Sequence, residues 1–126
     1  MPKGQSLYHK YPDYRVDLDP NADRIRVTFA GEVIADSTRT LTVRETQHDA
    51  VVYFPEADLD ARFFEATDHE SFCPFKGEAS YWTIRVGSDC SENSVWGYDD
   101  PFEEVSGLVG YRAFYADRVE WEPEQG

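Results

Sequence analysis

Three lysines occur in the 126-residue chain, and two of them, Lys3 and Lys10, lie close to the N-terminus. The third, Lys76, sits in the run Cys73-Pro74-Phe75-Lys76-Gly77, directly ahead of a strongly alternating segment. A cation fixed between proline and glycine is placed to hold an anion or to polarise a carbonyl. The plainer role is a solvated turn lysine that supports neighbouring acids. Cys73 adds a second chemistry, because a thiolate is nucleophilic and Lys76, or His69 four residues upstream, could favour that form. Its plainer role is a small buried residue bracing the loop against Phe72 and Phe75. Asp58 and Asp68 are the carboxylates best placed for proton transfer, and Arg44 could grip a carboxylate or phosphate with its two-pronged guanidinium. In a chain this acidic, a surface role for either aspartate and an ordinary ion pair for Arg44 are the simpler alternatives. Tyr53, Tyr81, Trp96 and Tyr98 offer flat walls with polar tips, or simply core.

These residues need a scaffold, and the pattern around them is that of strands. Ile25, Val27 and Phe29 alternate with Arg24, Arg26 and Thr28, the period of a half-buried strand. Ala30-Gly31 reads as a tight turn into a returning strand over Glu32 to Asp36. Thr40 to Arg44 alternates again, and Val51 to Phe54 is a short strand stopped by Pro55. Ala61 to Ala66 fits a strand or one helical turn. The stretch from Thr67 to Gly77 reads as a loop. Ala79 to Val86 is the strongest strand, with Ala79, Tyr81, Thr83 and Arg85 on one face and Ser80, Trp82, Ile84 and Val86 on the other. Gly87-Ser88-Asp89 turns the chain, with Cys90 in that turn region and no functional companions. Val95 to Tyr98 follows as a short strand, and Phe102 to Val109 admits a helical turn. Arg112 to Tyr115 and Val119 to Glu122 close the pattern around Ala116-Asp117. Residues 1–23 read as an N-terminal arm, 24–122 as a single β domain and 123–126 as an acidic tail. The expected class is mainly β, two short antiparallel sheets packed at an angle or a small open barrel, with at most one or two helical turns.

Composition narrows the function classes. The formal charge of −13, with 12 basic against 25 acidic residues, argues against nucleic acid or an anionic membrane as the main partner. No apolar run reaches the roughly 20 residues that span a bilayer, and no secretory pattern opens the chain. Two cysteines without a signal point to free thiols in the cytoplasm. Neither Cys-x-x-Cys nor paired histidines occur, so no metal and no cofactor is expected.

The run Asp68-His69-Glu70-Ser71-Phe72-Cys73-Pro74-Phe75-Lys76-Gly77-Glu78-Ala79-Ser80-Tyr81 resembles the hallmark of the domain of unknown function 427 family, approximately Asp-His-x-Thr-x-Cys-Pro-x-Lys-Gly-x-Ala-x-Tyr. Ser71 replaces the usual threonine and keeps the hydroxyl. Phe29 to Ser37, Arg44-Glu45, Tyr53-Phe54-Pro55 with Asp58, Val95 to Tyr98 and Ala113 to Val119 follow in family-like order. Gly97 stands where a serine or threonine is expected. The resemblance implies two antiparallel sheets meeting at an angle, similar to the β-tent group. Relatives of that shape often hold zinc between two Cys-x-x-Cys knuckles, which this chain lacks. A nucleotidyltransferase-type label sometimes attaches to the family, yet the sequence contains neither a phosphate-binding Gly-x₄-Gly-Lys-Ser/Thr loop nor Gly-Ser followed by spaced aspartates.

Together these features point to a small-molecule binding domain with a pocket at the Cys-Pro-Phe-Lys-Gly loop. Lys76 and Arg44 would hold an anionic or carbonyl-bearing metabolite between Tyr53, Tyr81, Trp96 and Tyr98, with Asp58 and Cys73 nearby. That reading requires Lys76, Arg44 and Tyr81 to face one space. A thiol- or lysine-dependent enzyme using Cys73 and Lys76 is one alternative, and a non-enzymatic protein-interaction module, monomeric or homodimeric, is another.

Overall fold

The structure, a computed structural model, describes residues 6–123. Ten strands run β1 Val16–Asn21, β2 Ile25–Phe29, β3 Glu32–Ser37, β4 Thr40–Glu45, β5 Val51–Pro55, β6 Phe64–Cys73, β7 Gly77–Val86, β8 Asp89–Gly97, β9 Tyr111–Phe114 and β10 Glu120–Glu122. They form a seven-stranded sheet in the order β1-β4-β5-β9-β8-β7-β6 and a three-stranded sheet in the order β10-β2-β3, all pairs antiparallel. Neither sheet closes on itself. Helical structure among the described residues consists of 3₁₀ turns at Glu56–Asp58, Ala61–Phe63, Glu103–Leu108 and Ala116–Arg118. No helix there is long and apolar enough to cross a membrane.

The large sheet is buried on both faces, and period-two alternation decides which residue goes where. On β5, Tyr53 and Phe54 are neighbours in sequence, are 2% and 0% exposed, and belong to different cores. Phe54 joins Ile84, Val95 and Phe114 against Ile25, Val27 and Ile34 of the small sheet. Tyr53 joins Val43, Ala79, Tyr81 and Ala113 on the opposite face, which the Glu103–Leu108 turn covers through Val105 and Leu108. The expected hairpin at Ala30-Gly31 forms with both residues at positive φ, 50° and 83°, the geometry that matches the twist of the flanking strands.

Three local expectations change. The lead-in over residues 1–23 contains β1, whose Val16, Leu18 and neighbours pair along β4 from Glu45 to Thr40. Its Asp17, Asp19 and Pro20 disguise the alternation, because an edge strand tolerates charge and a missing N–H on its open side. The segment read as a loop from Thr67 is strand β6, irregular between Ala66 and Glu70, and it ends in a tight turn at Pro74 to Lys76. As an outer strand it is largely exposed and carries no apolar pattern. Asp89 and Cys90 lie on β8 rather than in the turn, with Cys90 opposite Arg85 and exposed. Of the acidic tail, residues 124–126 fall outside the described part, as do Lys3 and the rest of residues 1–5.

Candidate functional site

The turn between β6 and β7 fixes Lys76. The Lys76 N–H donates to the Cys73 carbonyl at 3.2 Å, and its own carbonyl accepts from the Phe102 N–H at 3.0 Å. Gly77 then takes φ +119°, and a Cβ there would lie 3.3 Å from the Asp100 carbonyl oxygen, so both conformation and space favour glycine. This anchoring sends the lysine side chain inward, where Lys76 is only 7% exposed. Its ammonium forms an ion pair with Glu45 on β4 and lies 3.8 Å from the Cys73 sulfur. Glu45 also accepts a hydrogen bond from the Tyr14 hydroxyl. Burial acts to raise the Glu45 pKa, but the bonds from Lys76 and Tyr14 outweigh it and hold the carboxyl below its ordinary value.

These groups border an open cavity of about 740 Å³ on the face of the large sheet away from the small one. Tyr53, Tyr81, Trp96 and Tyr98 line it together with Cys73 and Lys76, so six of the eight expected ligand-binding residues share one space. The rings are tied to each other. The Trp96 indole N–H donates to the Tyr53 hydroxyl at 3.2 Å, the Tyr81 hydroxyl lies 2.8 Å from the Ser71 hydroxyl, and Tyr115 packs on Trp96 with ring centres 4.8 Å apart. Burial pushes the Tyr53 and Tyr98 phenols well above their ordinary pKa, so both stay neutral donors. His69 does not line the cavity; its ring packs edge-on against Tyr81 at 4.5 Å.

Arg44 and Asp58 fall elsewhere. Arg44 follows Val43 on β4 and therefore points to the opposite face, where it is largely exposed and pairs with Asp19 at 3.1 Å. The space it borders adjoins the small sheet. Asp58 sits in a 3₁₀ turn, accepts from the Ser37 hydroxyl at 2.6 Å and pairs with Arg39 at 2.8 Å, a local brace that borders a different hollow from that of Lys76. The condition that Arg44 share a space with Lys76 and Tyr81 is thus not met, and the expected pocket in which Lys76 and Arg44 hold one ligand together is overturned. Among the described residues no group of three or more His, Cys, Asp or Glu side chains converges as metal ligands would.

Glu45 and Tyr14, the wall residues that bond to each other beside Lys76, escape the sequence reading. Glu45 continues the β4 alternation through Val43, so the same periodicity that removes Arg44 from the pocket delivers Glu45 to it. Tyr14 comes from the lead-in. Its ring stacks on Phe75 at 3.6 Å and 11°, Tyr8 and Tyr11 meet the same ring edge-on, and the Tyr8 hydroxyl donates to the Phe75 carbonyl at 2.6 Å. Three tyrosines at a spacing of three, facing one phenylalanine, was the available signal. Burial, followed by the charges of Glu104, Cys73 and Glu45, raises the Tyr8 phenol to about 12.

A model of the family described as Domain of unknown function (DUF427) matches residues 17–125, most of the chain. The chain belongs to the DUF427 family. Its match begins after Tyr14, so the tyrosine arm over the Cys-Pro-Phe-Lys-Gly turn precedes the matched region. No curated protein matches the chain significantly.

The DUF427 chain's glycine at position 97 has a steric reason. A Cβ there would lie 2.6 Å from the Tyr111 carbonyl oxygen and 2.8 Å from Nη1 of Arg112, whose guanidinium stacks over Trp82 at 4.1 Å. Arg112 fills the space that a hydroxyl-bearing side chain would need. Gly97→Ala is expected to cost about 1–3 kcal/mol, since the clash is with backbone that cannot move alone. Urea denaturation of the two proteins measures the difference, and equal midpoints would show that β9 yields freely.

Proposed function

We propose that this DUF427 domain binds a small, neutral, carbonyl-bearing metabolite with a flat apolar part, in the cavity bordered by Lys76, Glu45 and Cys73. The supporting observation is the burial of one lysine–glutamate pair beside a thiol, under a wall of tyrosines and a tryptophan. A buried ion pair is a poor way to stabilise a small domain, because removing both charges from water offsets most of their attraction. As a device for orienting a ligand the same arrangement makes sense. An ammonium carries three donors; Glu45 and Cys73 engage two, and the third is available to a carbonyl oxygen.

With Arg44 on the other face, the cavity has one lysine already matched by Glu45, and a strongly anionic ligand would meet Glu45 and Asp49 at close range. That balance favours the carbonyl over the anionic form of the expectation. The charge of −13 supports a partner other than nucleic acid, and the two free thiols support a reducing, cytoplasmic setting. A smaller hollow of about 110 Å³ beside Trp82 and Arg112 has room for little more than solvent.

The test is a thermal-shift screen of neutral amides, ketones and aldehydes against wild type, Lys76→Met and Arg44→Ala. A ligand at about 100 times its dissociation constant adds roughly 2.7 kcal/mol and raises the midpoint by several degrees. The shift is expected in wild type and Arg44→Ala and is expected to vanish in Lys76→Met, each read against its own baseline. A shift that survives in Lys76→Met, or none in any protein, would remove the pocket reading.

A further inference from the structure

Resting on that reading, we propose that Cys73 captures the ligand covalently and reversibly: its thiol adds to an aldehyde, and Lys76 holds the resulting oxygen in a thiohemiacetal. The observation behind it is the placement of a nucleophile and an oxygen-binding donor on one tight turn. The Cys73 sulfur lies 3.8 Å from the Lys76 ammonium, and both border the cavity. At 3.8 Å from the sulfur the ammonium is within hydrogen-bond reach of the oxygen of a carbonyl whose carbon bonds to that sulfur.

The step balances without any further reactant. The sulfur's electron pair forms the new carbon–sulfur bond, and the carbonyl π bond breaks toward oxygen. Lys76 passes a proton to that oxygen and recovers one from the thiol. Nothing leaves, and nothing is oxidised or reduced.

The surroundings of the sulfur also say why the reaction ends there. Hydrolysis of a captured ester or amide needs a base to activate water after the acyl group has moved to sulfur. Among the described residues the ammonium of Lys76, a donor, lies against the Cys73 sulfur. Glu45 is held as a carboxylate by Lys76 and Tyr14 and sits below its ordinary pKa, which makes it a weak base. His69 packs against Tyr81 outside the cavity, and His48, on the cavity wall, lies 3.9 Å from Glu45. A thiol whose neighbour is a proton donor, with His48 and Glu45 of the same cavity engaged with each other, suits reversible addition to an aldehyde better than turnover of an acyl compound. An aldehyde attached to a flat apolar group matches the tyrosine and tryptophan walls.

The experiment uses phenylacetaldehyde labelled with carbon-13 at the carbonyl, and phenylacetamide as a frame that cannot be captured in this way. The protein carries Cys90→Ser, since Cys90 is exposed and would add aldehyde on its own. Carbon NMR is expected to show the signals of the aldehyde and its hydrate replaced by that of a protein-bound tetrahedral carbon attached to sulfur, resolved upfield of the hydrate, and dilution is expected to restore the free forms. The signal of the sulfur-bonded carbon is expected to be absent in Cys73→Ser/Cys90→Ser, while phenylacetamide still raises the melting midpoint of that variant. Half-saturation is expected at an aldehyde concentration at least about tenfold below that of the companion protein in which only Cys90 remains as a thiol, a difference of about 1.4 kcal/mol. Four outcomes overturn the covalent step: no sulfur-bonded carbon at saturation, a sulfur-bonded carbon that persists without Cys73, equal half-saturation at the two cysteines, or cyanoborohydride trapping of the label on Lys76. If phenylacetamide binds while no sulfur-bonded carbon forms, the pocket stands and the covalent step alone falls. If neither probe binds, the pocket reading falls as well.

Discussion

Replacing Phe54 by alanine is expected to lower the free energy of unfolding by about 3–5 kcal/mol, because a fully buried ring is removed and the cavity closes only in part. Phe54 is 0% exposed and touches both sheets: Phe114 of the large sheet meets it edge-on at 5.6 Å, and Trp121 of the small sheet lies 6.1 Å away. The small sheet has three strands, one of only three residues, and a sheet of that size depends on the face it buries. Its Val27, Ile34 and Ala35 pack into the same cluster, so the loss reaches beyond one side chain.

The melting midpoint is expected to fall by more than about 10 °C for a domain of this length. Chemical denaturation gives the free energy directly, and Phe72→Ala is the companion measurement. Phe72 is also a phenylalanine of the large sheet, but it lies on the outer strand at 44% exposure, and its loss is expected to stay below about 1 kcal/mol. If the two variants melt alike, the sheets do not depend on a shared core at Phe54.

The contrast between these two residues shows which parts of the fold were legible. Strands with one buried face advertise themselves, as Ile25, Val27 and Phe29 do, and so does Ala79 to Val86, whose two faces enter two different cores. Outer strands have no such obligation. β1 and β6 line the two edges of the large sheet, carry Asp, Glu, His and Pro, and read from sequence as an arm and a loop. Their pairing is set by partners far along the chain: β1 by β4, and β6 by the turn that folds it back on β7.

The site was legible for a different reason and failed in a different way. Cys73, Lys76, Tyr81, Trp96, Tyr98 and Tyr53 meet because one tight turn and alternate positions on neighbouring strands deliver them to one face. Trp96 lies opposite Tyr81 on one side and Ala113 on the other, and Ala113 lies opposite Tyr53, so three of the wall residues follow from a single row across the sheet. Chemistry favours Arg44, and strand parity overrules it for the residue next to it. Asp58 belongs to an acidic chain where any aspartate competes with many others, and Arg39 claims it. Tyr14 could not be placed without knowing that its segment folds over Phe75.

Parity at Glu45 leads to the strongest functional test of the pair itself. Lys76→Met keeps the length and apolar stem of the lysine and leaves Glu45 without its cation in a half-buried site. At neutral pH the expected loss is about 3 kcal/mol, the lower end for breaking a buried pair, since Glu45 retains the Tyr14 hydrogen bond and some contact with solvent. The dependence on pH separates this from simple misfolding. In wild type the folded pKa of Glu45 lies below its ordinary 4.5, so its stabilising contribution is complete above that value and is lost as pH falls through the folded pKa. In Lys76→Met the largest influence left is burial, which raises the pKa, and the folded form then takes up a proton more readily than the unfolded one. Stability of the variant is therefore expected to rise as pH falls from 7 toward 4.5, where wild type stays level. Asp36, Asp58 and Asp60 are also held low by Arg24, Arg39 and Arg62, but those pairs are exposed and their effect fades in high salt. Denaturation curves at several pH values in high salt isolate Glu45, and Glu45→Gln combined with Lys76→Met is expected to remove the opposite slope. Parallel pH profiles for wild type and Lys76→Met would mean that the two charges do not sense each other, and the cavity would then lose the polarised lysine on which its proposed chemistry depends.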